Sequence, residues 1–210
     1  MLVTGIKSKP VYAPLRADPG GRYHLLLGSG PGVAPLLQVL AELRSDAPES
    51  LARSRVLFAP DAADASADAR GASAASRFAA TGVADVHTFA DSGALLGEFE
   101  SRLAASVMGL RLYVAGPERF IGLAMKTALQ FNLNTDEIRA QECGSKARRV
   151  RCVHCRETTE DVRTNIVQCI GCRRWLLVRD HYSRRLAAYM GVMVDAEAPG
   201  QLPAVQEIFP

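Results

Sequence analysis

Residues 23–44 read YHLLLGSGPGVAPLLQVLAELR, and three pieces follow one another in this stretch. Tyr23 to Leu27 is a short apolar run, the pattern of a strand buried on both faces. Gly28 to Pro35, GSGPGVAP, is a tight turn. Leu36, Leu37, Leu40 and Leu43 then recur at helical spacing, which predicts a helix to about Arg44. A glycine turn between a strand and a helix is the setting a phosphate cradle needs. Glycines let the chain turn sharply and let a pyrophosphate approach the amides, and the helix N-terminus adds partial positive charge. The spacing is not G-x-G-x-x-G, and glycine turns cap many strands of α/β proteins. The turn alone therefore leaves nucleotide binding open.

The same alternation continues outward from this unit. SRVLFAP, VADVHTFAD, LRLYVAGP and EIRAQECG read as four more strands. GALLGEFESRLAASV, with Leu95, Leu96, Phe99 and Leu103 on one face, and ERFIGLAMKTALQFN read as helices. Residues 61–77, rich in Ala, Asp and Ser, read as a soft loop with one helical turn. Strands alternating with helices predict an α/β fold with a five-stranded, parallel, doubly wound sheet and ligands at the carboxyl ends of the strands. Residues 1–22 form an arm, 23–145 the α/β domain, and 146–210 a further module with a C-terminal tail.

A second turn sits about eighty residues after the first: LYVAGPERFI places Gly116-Pro117 between a strand and a helix. The pair resembles the nicotinamide-binding domain of the ferredoxin–NADP reductase family, whose strands end in turns like GGxGITP and CGPPxM. Ser29, Gly30, Gly32, Val33 and Pro35 fall on the first turn, and Gly116 and Pro117 on the second. The resemblance covers about residues 20–143. It implies Gly28, Ser29, Gly30, Gly32, Pro35, Gly116 and Pro117 as the residues that would meet NAD(P)H. Ala115 replaces the family's cysteine beside the nicotinamide. Ala59-Pro60-Asp61 stands where a basic or serine residue often meets the 2′-phosphate. A flavin barrel needs roughly a hundred residues of its own, and only about 22 precede the first strand. Either a partner chain carries the flavin, or the fold persists as a scaffold or partner-docking unit; the second reading is preferred.

The other informative stretch is CVHCRETTEDVRTNIVQCIGC, Cys152 to Cys172. Two Cys-x-x-Cys pairs make two knuckles, each aiming two sulfurs at one point. Together, Cys152, Cys155, Cys169 and Cys172 form a tetrahedral sulfur site for Zn²⁺ or, alternatively, a single iron, as in a zinc ribbon or a rubredoxin-like module. A two-iron cluster and bare redox dithiols fit two evenly spaced pairs less well. Four protein ligands close the site, which argues structure rather than catalysis. The intervening RETTEDVRTNIVQ, with Thr, Val and Ile in part alternation, predicts a β-hairpin. His154 is either an alternative ligand or a surface residue. Cys143 reads as a buried small residue closing the fifth strand.

Charge is uneven. The formal net charge is +3, but Lys146 and ten arginines between Arg148 and Arg185 crowd the cysteine module. That basic face suits water, an acidic protein or nucleic acid. His181, Tyr182, Arg184 and Arg185 form a polar cluster suited to contact with a partner subunit. No stretch approaches the roughly 18–20 apolar residues of a membrane span, and MLVTGIKSKPVYAPL lacks a signal-peptide pattern. A cytoplasmic chain, its thiols kept reduced, is expected.

The segments VRCVHC, VRTNIVQCIGC and VRDHYSRRLAAYMGV with DAEAPG resemble the small, DmmA-type subunit of bacterial dimethylamine monooxygenase, and the similarity extends over essentially all 210 residues. The resemblance implies a hetero-oligomeric oxidoreductase that converts dimethylamine, O₂ and NAD(P)H to methylamine and formaldehyde. A haem-containing oxygenase subunit and a reductase subunit with flavin and an iron–sulfur cluster would be the partners. No haem-ligand motif, oxygenase metal triad or activated nucleophile is present, so no catalytic residue is assigned. A structural, assembly or electron-bridging role is expected. The alternatives are a stand-alone electron carrier with NAD(P)H docking and a rubredoxin-type iron, or a zinc-ribbon regulator binding nucleic acid.

Overall fold

The computed structural model describes residues 8–60, 74–83 and 85–210. Most of the Ala/Asp/Ser-rich stretch lies outside them, and residues 74–79 are helical. The described chain divides into two units, Tyr12–Gly144 and residues 8–11 with Ser145–Pro210.

In the first unit, β1 (Tyr23–Ser29), β2 (Ser54–Ala59), β3 (Asp85–Thr88), β4 (Leu110–Gly116) and β5 (Ile138–Glu142) form a parallel sheet in the order β3-β2-β1-β4-β5. Both faces of the central strands are covered, and the period-two alternation of a strand assigns each residue to one of them. Leu25, Leu27, Leu57, Leu112 and Val114 face α2 (Ser92–Ala104) and α3 (Glu118–Gln130). Leu26, Val56, Phe58, Tyr113 and Ala115 face α1 (Val33–Asp46). That is why the strands read as unbroken apolar runs. Asp91 starts α2 by accepting the Ala94 N–H at 2.9 Å, satisfying one of the free donors of the first turn.

Residues 12–22 are tied to this sheet. Leu15 is 1% exposed within the α1-side core. The Leu15 N–H donates to Gln141 Oε1 at 2.8 Å, and the Ala17 N–H to Glu42 Oε2 at 2.8 Å. Asp18 pairs with Arg111 at 2.8 Å and Arg139 at 3.3 Å. The Arg111 guanidinium holds the Asp18 carboxyl below its usual value against the opposing effect of burial.

The second unit is also a five-stranded sheet. Its strands are β6 (Arg148–Cys152), β7 (Thr158–Val162), β8 (Ile166–Gln168), β9 (Trp175–Ser183) and β10 (Ala188–Met193), in the order β7-β6-β10-β9-β8. β6 and β10 are parallel and the remaining pairs antiparallel. The expected hairpin between the two cysteine pairs does not form: β7 and β8 are the opposite edges of the sheet. Each Cys-x-x-Cys is itself a hairpin turn, so β7 folds back on β6 and β9 on β8. β10 then joins the two hairpins.

A small core of Val150, Leu176, Val178, Tyr182, Tyr189 and Phe209 lies under this sheet together with Cys152 and Cys169. Arg148 is 5% exposed there. Its guanidinium lies 3.9 Å from the Tyr189 ring and 3.7 Å from the Phe209 ring, and Nη2 donates to Asp180 Oδ1 at 2.7 Å. Two ring faces and one carboxylate compensate the cost of burying this charge.

Candidate metal centre

The two knuckles are built alike. The Arg156 N–H donates to the Cys152 carbonyl, and the Arg173 N–H to the Cys169 carbonyl, both at 3.1 Å. The Cys152 N–H reaches the Glu157 carbonyl, and the Cys169 N–H the Arg174 carbonyl, both at 2.9 Å. Arg156 and Arg173, each directly after the second cysteine, adopt left-handed φ of 65° and 60°. This pair of arginines carries a sequence signature, CVHCR and CIGCR, that spacing arguments about cysteines alone pass over.

The four Sγ atoms all lie within 4.8 Å of one another. Cys152 and Cys172 are 3.7 Å apart, and Cys155 and Cys169 3.5 Å. A tetrahedron of sulfurs about 2.3 Å from one ion has edges of about 3.8 Å. The set therefore fits a single Zn²⁺ or iron, and it is too compact for ligands spread over two metal centres. Cys152 and Cys169 are buried and Cys155 is exposed, so the site lies at the surface end of the sheet. His154 is exposed and outside the group.

The surroundings favour thiolate at Cys172. The Arg174 N–H and guanidinium both reach Cys172 and hold its thiol down to about 6. Amides of Cys172 and Gly171 point at Cys169, but burial dominates there and pushes that thiol up to about 11. Arg174 is a residue the motif did not reveal, and it supplies a positive charge against the excess negative charge of four thiolates. Cys143 follows β5, with its N–H on the Gly116 carbonyl at 2.9 Å. Burial pushes its thiol up to about 11, leaving it protonated and unreactive at neutral pH.

The predicted nucleotide residues also come together. Gly28 and Ala115 are register partners at the carboxyl ends of β1 and β4, the switch point of the strand order. Ser29 ends β1, and Gly30 begins a one-turn helix with φ of 51°. Gly32 lies so close to β4 that an added Cβ would stand 2.2 Å from the Ala115 carbonyl oxygen. A Cβ on Gly116 would meet the Ser29 carbonyl oxygen at 3.1 Å. Pro35 lies buried in the first turn of α1, and Pro117 precedes α3. Two further features occupy this end. Glu118, 3% exposed, puts a carboxylate in the first turn of α3. Gly144 packs on Pro31, where an added Cβ would stand 2.7 Å from Pro31 Cγ.

Among the described residues, no helix is long and apolar enough to cross a membrane.

Comparison with known proteins agrees with both halves. Residues 4–138 match the family described as dimethylamine monooxygenase subunit DmmA-like, N-terminal domain, and residues 149–192 match its C-terminal domain. A curated relative, the heme-dependent oxidative N-demethylase delta subunit of Ectopseudomonas mendocina (strain ymp), is 37% identical over 94 residues. The match covers 45% of this chain and 54% of that one, so it spans about half the length of the relative. Among solved structures, the Amycolatopsis cytochrome P450 reductase GcoB aligns with 60% of this chain and 38% of its own, at 19% identity and a TM-score of 0.42. The ferredoxin reductase of carbazole 1,9a-dioxygenase aligns with 62% and 34%, at 13% identity and a TM-score of 0.42. With matched segments in both the α/β half and the cysteine half, the chain belongs to the dimethylamine monooxygenase subunit DmmA-like family.

Proposed function

We propose that this chain is a non-catalytic subunit of a cytoplasmic, haem-dependent N-demethylase that converts dimethylamine to methylamine and formaldehyde with O₂ and NAD(P)H. Haem, flavin and the iron–sulfur cluster belong to the oxygenase and reductase partners. The observation that carries this reading is the family match along both halves of a chain whose one metal-ligating cluster among the described residues is a four-cysteine site. Four protein ligands leave no open coordination position for a substrate. The reading is tested by omitting the chain from the co-expressed complex. Loss of assembly or of demethylation is expected, and a stable, fully active complex without it would refute the assignment.

Within the complex, Cys152, Cys155, Cys169 and Cys172 hold a structural Zn²⁺ that gathers the two hairpins. A second reading has a specific observation behind it. Cys155 is exposed, and the apolar residues Val153 and Ile170, one in each knuckle, are 46% and 56% exposed beside it. Such an apolar rim suits electron exchange with a docked protein, and iron would make the chain an electron bridge. Metal content and the visible spectrum separate the two: one colourless zinc per chain supports the clip, and one iron with a reducible, coloured spectrum supports the bridge.

The α/β unit acts as a docking scaffold rather than a nucleotide site. Supporting this is the crowding of the glycine turn, where Gly144 packs on Pro31. Titration with NAD(P)H tests it; saturable binding abolished by Gly32→Val would restore nucleotide docking.

A further inference from the structure

A cleft of about 660 Å³ opens on the face of the second sheet turned away from its small core. Its floor is the middle strand, β10, through Ala188 and Met190. Arg151 of β6, the register partner of Met190, flanks it on one side, and His181 of β9 on the other. Arg156 follows the first knuckle at one end, and Arg185 lies in the β9–β10 turn at the other. Among the described residues, no Asp or Glu lines the cleft. Neighbouring cations are neutralised, Arg148 by Asp180 and Arg149 by Glu160. Arg151, Arg156 and Arg185 have no carboxylate partner among the described residues. The cleft reaches Cys152 and the exposed Val153, so whatever fills it also touches the metal end of the sheet.

We propose that this cleft is the docking groove for an acidic segment of a partner subunit, carrying carboxylates on its flanks and apolar side chains against β10. The inference rests on the reading of the chain as a subunit. Charge complementarity selects the sign of the occupant. The apolar floor selects a peptide over a free phosphate, which needs a polar cradle. Nucleic acid is disfavoured because single strands bind by stacking bases on exposed rings. Of the two rings among the described lining residues, Tyr189 is 1% exposed with Arg148 over its face, which leaves only the half-buried His181 imidazole.

The test uses the full chain and the other subunits of the complex, purified separately. Arg156→Glu with Arg185→Glu reverses the groove, and Arg44→Glu with Arg163→Glu makes the same charge change on exposed residues elsewhere. Dissociation constants are measured by sedimentation at low and moderate salt, with metal content per chain. The groove variant is expected to bind at least about tenfold more weakly, with a flatter salt dependence. The control should stay within about twofold, and metal content should be unchanged. Because Arg156 adjoins a ligand, Arg185→Glu alone is the second variant, expected to give part of the same loss with the metal retained. Equal binding by groove variant and control overturns the groove and leaves the subunit reading intact. A wild-type chain that binds none of the subunits overturns both. A wild-type chain that binds a DNA duplex through these arginines, and no subunit, makes nucleic acid the occupant and overturns the proposal.

Discussion

The α/β unit and the cysteine unit each contain a five-stranded sheet, but different interactions hold them. In the first, helices cover both faces and 29 buried apolar side chains fill two separate cores. In the second, one face has a core of nine residues, two of them metal-ligating cysteines, and the other face carries the basic cleft. A sheet with so little to bury cannot supply its own stability, and four sulfurs facing one point supply the rest once an ion joins them. Apolar area is replaced by coordination, and the surface so released becomes available to a partner.

The largest expected effect tests that contrast directly. Structural zinc contributes on the order of 10 kcal/mol to small modules at neutral pH. Cys152→Ala should therefore abolish metal binding and the cooperative melting of the second unit, while the α/β unit still melts on its own. Two-domain calorimetry with metal analysis reads both, and an intact second transition without metal would break the comparison. The reciprocal change is Phe99→Ala, at a fully buried position. It should cost about 3–5 kcal/mol, lower only the α/β transition and leave metal content untouched. Gly32→Ala sharpens the picture within the first unit. With the Ala115 carbonyl oxygen 2.2 Å from the new methyl group, a loss of about 1–3 kcal/mol is expected in denaturant titration.

The smallest effect concerns residues 12–22. Asp18→Asn removes a charged hydrogen-bonding partner of Arg111 and should cost about 1.5 kcal/mol near neutral pH. The folded-state value of Asp18 is depressed. Its contribution is therefore complete above the unfolded-state value of about 3.9 and fades as pH falls through the folded value. The difference between wild type and variant should close over that acidic range and stay constant above it, as urea titrations at several pH values will read.

Much of this was legible because local patterns and tertiary structure agree. The Leu25–Leu27 run, the helical leucines of α1 and the paired knuckles follow from periodicity and ligand spacing, which short stretches of chain determine. What stayed hidden depends on distant pairing. The alternating Thr, Val and Ile of 158–168 correctly announced strands but not their partners, because alternation gives a face and not a neighbour. Likewise residues 1–22 read as an arm, with no sign that Leu15 completes a core or that Asp18 meets Arg111. Arg174 was one arginine among eleven basic residues. Only its N–H and guanidinium on Cys172 separate it from the rest.

The middle position of β10 has a consequence for the order of events during synthesis. The hairpins β6–β7 and β8–β9 each emerge from the ribosome, with two cysteines apiece, before the strand that joins them does. For that interval nothing in the backbone ladder holds the halves together, and only an ion can. Metal captured then shortens the search that β10 must make to pair with β6 and β9 at once, a non-local step that otherwise carries the whole loop-closure cost. A chain truncated before Ala188 would therefore carry all four ligands and take up its metal, but lack the strand that closes its sheet.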